Sequence, residues 1–256
     1  MVNYNTAELV AVMSARALKD GQVVFAGAGM PLLAAIAAQK MHAPTLTILF
    51  EGGSVSPRIE IGKMPASTNE ARATYGSVMT PSITDMLLFC QRGFVDVGFL
   101  GGAQIDKFGN LNTSYIGDLE NPDVRLPGSG GANDIASCTD FIVSTHHEKR
   151  RFVEKVDFIT SPGSLYGGQS RREAGLRGNG CSQVITHLGI LEVDVRRGEL
   201  ILAAVHPGVD PREAVENTGW NLIVSENLRE TEPPTKEELK LFRSLDPEMN
   251  YLKTKD

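Results

Sequence analysis

The sequence predicts an α/β fold: a mostly parallel open sheet with helices on both faces. Three observations carry that prediction. Short apolar and β-branched runs at residues 22–26, 45–50 and 95–100 alternate with stretches of helical periodicity, the order produced when parallel strands are joined by crossover helices. The run 45–50, TLTILF, is apolar or β-branched throughout, as expected of a strand covered on both faces. Each run also gives way to glycine, at Gly27/Gly29, Gly52/Gly53 and Gly101/Gly102. In open α/β sheets ligands bind beyond the carboxyl ends of the strands, where glycine lets backbone approach them. No repeat of fixed period and no linker interrupts the 256 residues, so residues 1–256 are read as a single domain with one large core.

The elements follow in order. Residues 6–18 set Leu9, Val10, Met13, Ala17 and Leu18 at helical spacing, with Thr6 as N-cap and Glu8 in the first turn, and Gly21 ends that helix. Residues 22–26 form a strand, Gly27-Ala-Gly29 a turn, and Pro31 opens an alanine-rich helix that runs to Met41. The strand 45–50 runs into Glu51. Residues 52–76, rich in Gly, Pro, Ser and Asn, have the length of a functional loop or lid. Residues 81–91 read as helix and 95–100 as strand. Further on, 141–144, 184–188, 190–193 and 200–205 read as short strands. Residues 147–153, 213–217 and 236–245 read as helices, the last of them after Pro233-Pro234.

Composition narrows the function. A net charge of −6 opposes nucleic-acid binding, which needs a basic field to neutralise phosphates. No apolar run approaches the roughly 20 residues that span a bilayer, and the first residues, MVNYNTAE, do not read as a signal peptide. A cytoplasmic protein with no membrane association is expected. The three cysteines, Cys90, Cys138 and Cys181, are far apart and form no CxxC pair, so neither a disulfide framework nor a zinc site is expected.

The chemistry is sought among the glycine clusters, a fourth of which is Gly128-Ser-Gly-Gly131. Any one pair serves equally well as a tight turn; four together point to a ligand. Gly27-Ala-Gly-Met-Pro-Leu32 starts like a dinucleotide fingerprint, but Leu32 stands where the third glycine belongs and no GxxxxGK[ST] occurs. His146 and His147 are adjacent, so their side chains diverge and do not suit one metal. They precede Glu148-Lys-Arg-Arg151, which reads as a solvated charged turn. No GxSxG elbow is present. Glu51 remains. A carboxylate at a strand end is either a structural ion-pair member or a nucleophile, and as a nucleophile it requires no general base, only access and a fixed position. Gly52 and Gly53 would leave that access open.

The stretch LFEGG, residues 49–53, resembles the active-site glutamate motif of the family I coenzyme A transferases. Four further blocks resemble, in the same order, segments of the B subunits of 3-oxoadipate and glutaconate CoA-transferases. They are DVGFLGGAQIDKFGNLNTSYIGD, RLPGSGGANDIA, HEKRRFVEKVDFITSPG and HPGVDPREAVENTGWNLIVSENL. The resemblance implies the open α/β fold shared with ribose-phosphate isomerases and a ping-pong transfer in which Glu51 carries CoA as a thioester. It implies no permanently bound cofactor, with coenzyme A and small carboxylic acids as substrates. It also implies an A-subunit partner, in a heterodimer or larger heterooligomer. Gly128, Gly130, Gly131 and Ala132 are the candidates for the oxyanion donors, and Gly101, Gly102 and Gln104 the second choice for lining the same cleft. Gly27 and Gly29 are the candidate cofactor-binding positions.

Two departures from the family pattern stand out. Gly52 replaces the usual serine or asparagine, and residues 54–72, SVSPRIEIGKMPASTNEAR, match neither named subfamily. That loop is expected to shape the acyl pocket, with Arg58 and Arg72 as candidates for a distal carboxylate. Ser225-Glu-Asn-Leu228 imitates the glutamate motif but lacks its glycine, and Glu226 is expected to face solvent. Retention of Glu51 favours transfer over an acyl-CoA hydrolase or decarboxylase of the same fold. A non-catalytic domain that binds acyl-CoA or a phosphosugar is the alternative from another class.

Overall fold

The computed structural model describes residues 3–253. The chain divides into two compact units: residues up to Phe99 together with those from Pro233 onward, and the stretch Leu100–Glu232 between them.

The first unit opens with α1 (Thr6–Arg16). Its N-cap is Asn5 rather than the expected Thr6. Asn5 Oδ1 accepts the Glu8 amide at 2.9 Å while Glu8 Oε2 accepts the Asn5 amide at 3.0 Å, a reciprocal capping box that satisfies two otherwise orphaned donors. Then come β1 (Val23–Phe25), α2 (Met30–Met41), β2 (Thr47–Phe50) and β3 (Ser54–Val55). A 3₁₀ turn (Ala71–Thr74), α3 (Ile83–Gln91) and β4 (Val97–Leu100) complete this stretch. The strands order β4-β1-β2-β3, with β1 parallel to both β2 and β4 and β3 antiparallel to β2. Val24, Phe25, Ile48, Leu49 and Phe50 are buried in this sheet.

The second unit begins with two small antiparallel hairpins. They are β5 (Gln104–Ile105) with β6 (Leu111–Asn112), and β7 (Tyr115–Gly117) with β8 (Pro122–Arg125). There follow α4 (Ala132–Cys138), β9 (Asp140–Ser144), α5 (Ser170–Glu173), β10 (Cys181–Ile185), β11 (Gly189–Asp194), β12 (Glu199–Val205), α6 (Pro211–Glu216) and β13 (Ile223–Glu230). Its sheet orders β13-β12-β11-β10-β9; β9–β10 and β12–β13 are parallel, and the pairs made by β11 are antiparallel. The helix expected over 147–153 is absent. The Arg151 and Phe152 amides both reach Glu148 O at 2.9 Å, but the next amide, Val153, is taken by Ile105 O at 3.0 Å, which draws the chain into extended pairing.

The chain returns to the first unit with α7 (Lys236–Leu245), where the periodicity placed it, capped by a Thr235/Glu238 box. Leu239, Phe242 and Leu245 are its buried face, set against α1 and α2. Ion pairs Arg16–Glu238 (2.7 Å) and Arg243–Glu8 (2.6 Å) bind α7 to α1.

Candidate functional site

In the first unit Glu51 does not begin a long loop. It is the first residue of a three-residue turn, Glu51-Gly52-Gly53, that folds β3 back on β2, with Phe50 paired to Ser54 and the Gly53 amide donating to Phe50 O at 3.0 Å. Gly53 supplies the left-handed conformation such a turn requires, φ +97°. Glu51 is half-buried at the tip, held from behind by two buried strand residues, Leu49 and Phe50.

The glycines beside it do more than remove side chains. A Cβ on Gly52 would collide with the Thr68 carbonyl oxygen and Asn69 Oδ1, and one on Gly53 with the Pro81 carbonyl. The loop that leaves β3 therefore comes back and lays its own main chain on the turn. Hydrogen bonds secure its course: Ser56 N to Ile48 O (2.7 Å), Arg58 N to Tyr75 O (2.8 Å), Val78 N to Val55 O (2.9 Å) and Val55 N to Met79 O (3.1 Å). Residues 75–79 thus run as an extra edge along 55–58. Arg72 pairs with Glu70 at 2.9 Å, and Arg58 is exposed.

On the other flank of β2 lies the end of β1. The parallel register Phe25↔Leu49, continued by Ala26 N donating to Leu49 O at 3.1 Å, brings Gly27 level with Glu51. Gly27 is exposed, with open space where a side chain would stand. Gly29 caps α2 with φ +93°, a conformation that favours glycine, and the Tyr251 ring lies 3.6 Å from where its Cβ would be. No side chain caps α2. Its first amides therefore lend partial positive charge to the ground beside Glu51, suited to an anion or a developing oxyanion.

The second unit brings its own candidates together. Ala103 N donates to Asn112 O (2.9 Å) and Gly128 N to Thr113 O (2.8 Å), so consecutive residues anchor both glycine turns. Several expected donors are spent there. Gln104 is buried; its Nε2 donates to Asp157 Oδ2 (2.9 Å), and its Oε1 accepts from Asn112 Nδ2 (2.7 Å) and the Asp157 amide (3.1 Å). Besides the Gly128 amide, that of Ala132 is engaged, by Ser129 O at 3.0 Å. These three groups hold the turns in shape instead of facing a ligand. Gly102 offers its carbonyl to Arg151 Nη1 at 2.6 Å, while Gly101 and Gly130 are exposed and Gly131 is buried ahead of α4. Asn112, the hub of this network, escaped the sequence reading because nothing in its neighbours marks a buried amide. Its Nδ2 also donates to Tyr115 O at 2.6 Å, and its Oδ1 accepts the Ser114 amide at 2.9 Å.

His146 and His147 do diverge. His146 is exposed and stacks on His187 with ring centroids 3.8 Å apart. His147, by contrast, is not part of a solvated turn: it is buried against Phe152 and hydrogen-bonds Thr218 Oγ1 at 2.9 Å. Burial, aided by His187 and His146, pushes its pKa down to about 3, so at neutral pH it is an uncharged packing residue. Glu226 is exposed on β13, as expected.

Residues 7–217 match the family model for coenzyme A transferase. The chain is 39% identical to the B subunit of 3-oxoadipate CoA-transferase from Pseudomonas knackmussii, covering 96% of this chain and 95% of that one. It is 38% identical to the B subunit of glutaconate CoA-transferase from Acidaminococcus fermentans, covering 98% and 96%. Against the crystal structure of that glutaconate CoA-transferase the TM-score is 0.89, with 36% identity over 99% of each chain. The decarboxylase AibA/AibB gives a TM-score of 0.81 at 28% identity, covering 97% of this chain and 98% of that one. The similarity to B subunits and the predicted fold class are both borne out.

Proposed function

The chain belongs to the coenzyme A transferase family, and from that premise we propose that Glu51 is the nucleophile of a B-type subunit that moves CoA between an acyl-CoA and a carboxylic acid. The observation that carries the reading is the placement of Glu51: the tip of a rigid turn at the carboxyl end of a parallel strand, level with the open Gly27 and beside the uncapped start of α2. A nucleophile needs such fixity more than it needs activation.

The steps balance without a redox partner or an external base. A Glu51 carboxylate oxygen attacks the thioester carbon of the donor, the C–S bond breaks, and an acyl-glutamyl anhydride and CoA thiolate result. The thiolate attacks the glutamyl carbonyl, releasing the donor acid and leaving a glutamyl-CoA thioester. The acceptor carboxylate then displaces CoA to form a new anhydride, and the returning thiolate takes its acyl group and frees Glu51. Each step passes through an oxyanion, for which backbone N–H groups are the economical stabilisers. In this reading the first amides of α2, which no side chain caps, serve that purpose.

The names of the two similar B subunits support a dicarboxylic or 3-oxo acid as the acyl group and an A-type subunit as partner. Both compact units are taken as parts of one B-type subunit. The location assigned is the cytoplasm; no helix among the described residues is long and apolar enough to cross a membrane. The decarboxylase reading is supported at lower identity, 28% against 36%.

The test is to expose the complex with its A subunit to an acyl-CoA, treat it with borohydride and map the products by mass spectrometry. Reduction at residue 51, together with CoA movement that requires a carboxylate acceptor, is the expected result. CoA release without an acceptor would indicate hydrolysis, loss of carbon dioxide would indicate decarboxylation, and an unmodified Glu51 without turnover would indicate a binding domain.

A further inference from the structure

We infer that the outer face of residues 75–83 is the surface on which the A-type subunit docks. Four large apolar side chains stand in solvent within nine residues: Tyr75 is 57% exposed, Val78 79%, Met79 48% and Ile83 50%. Ile61, from the same loop, is exposed as well. The segment is no loose tail. Its Tyr75 carbonyl and the backbones of Val78 and Met79 are bonded to residues 55 and 58, so the side chains are presented from an ordered edge of the sheet. An apolar edge of this kind is an aggregation liability in a chain that stays alone. Two local ion pairs lie in the surrounding loop, Lys63 with Glu60 and Arg72 with Glu70, as in the polar rim around an apolar interface core.

The occupant follows from where the patch is attached. Pro81 lies within the patch, and its carbonyl fills the space beside Gly53, two residues from Glu51. A protein seated on residues 75–83 is therefore joined to the nucleophile's own turn by a single backbone contact, and it can complete the surroundings of Glu51. The relatives matched nearly end to end are both called B subunits, which makes a dissimilar subunit the fitting partner rather than a second copy of this chain. The inference rests on the two-subunit reading above.

The test uses the full-length tagged chain expressed in the organism it comes from, with co-purifying proteins quantified by mass spectrometry. The wild-type chain and a Val195→Asp control, altered at a residue 92% exposed in the second unit, should bring down the A-type subunit in equal amounts. The double variant Val78→Asp/Met79→Asp should bring down at least tenfold less, with unchanged circular dichroism and melting temperature. If the double variant recovers the A-type partner in full, the docking surface is overturned and the two-subunit reading still stands. A wild-type chain that brings down no A-type partner would remove that reading and this inference together. A wild-type homodimer that the double variant converts to monomer, with A-subunit recovery unchanged, would assign the patch to a second copy and overturn the inference.

Discussion

The carbonyl oxygen of Thr68 occupies the space that a side chain on Gly52 would need. This contact joins the two departures from the family pattern expected from the sequence, glycine in place of serine or asparagine after Glu51 and the unmatched loop over 54–72. A loop that packs its backbone on residue 52 tolerates only glycine there, so the two changes belong together.

Gly52→Ser should therefore lift the loop from the turn. The expected signs are faster hydrogen exchange and proteolysis within 56–82 and a raised KM for the acyl substrate. Gly53→Ala should cost more stability, about 1–3 kcal/mol, because it adds left-handed strain to a collision with the Pro81 backbone. Urea unfolding of the two variants would rank them, and equal, negligible losses would show that the loop does not lie where it is described.

Glu51→Gln keeps the shape of the side chain and removes the carboxylate proposed as nucleophile. Turnover of the complex should fall at least 1,000-fold, roughly 4 kcal/mol of lost transition-state stabilisation, with binding of the A-type subunit retained. Glu226→Gln, on an exposed edge strand, should leave the rate within about twofold. Equal losses in a kinetic assay would mean that Glu51 has no privileged role.

Glu8 is buried and anchors both ends of the first unit. Burial raises its pKa, but the Arg243 hydrogen bond, the Asn5 amide and the Arg243 charge outweigh it and hold the carboxyl below its usual range. A depressed carboxyl contributes stability that is present above its unfolded pKa and is lost as pH falls through the folded value. Arg243→Leu should cost about 1–3 kcal/mol by stranding that carboxylate, and the penalty should shrink below about pH 4, where protonation relieves it. Thermal melts of variant and wild type at pH 7 and at pH 3.5 would show it.

Three histidines of the second unit, His147 and His206 buried and His187 half-buried, act in a higher pH window. His147 is held down to about 3 and His187 to about 4, and His206 is also lowered, in each case chiefly by burial. Below about pH 6.5 the unfolded chain takes up protons that these folded side chains refuse, so stability is complete above that pH and falls progressively towards pH 4. His147→Gln should remove about one proton from the slope of unfolding free energy against pH between 6.5 and 4. An unchanged slope, measured by denaturant titration across that range, would show that His147 is protonated in the folded chain.

Much of this molecule can be read from local pattern. The helix over 236–245 combines a strong apolar stripe with a Thr235/Glu238 box, and the box sets its first residue without help from the rest of the fold. The strand before Glu51 and the helix after Gly29 are legible for the same reason, since a buried parallel strand and a proline-led alanine-rich helix each carry their signal within a few residues. The edge strand 223–230 is not legible, because its exposed polar positions hide the pairing with β12.

By itself the sequence determined the alternation of strands and helices, the glutamate at a glycine-flanked strand end and the family. These depend on side-chain chemistry and spacing along the chain. Only the tertiary structure decided that Glu51 sits on a hairpin turn, that the room beside it is filled by Thr68 and Pro81, that the Gln104 amide is spent inside a network with Asn112, and that His147 is buried while His146 is not. Those outcomes depend on which distant backbone arrives at a given point, and a packed interior settles that jointly, through contacts no single segment encodes.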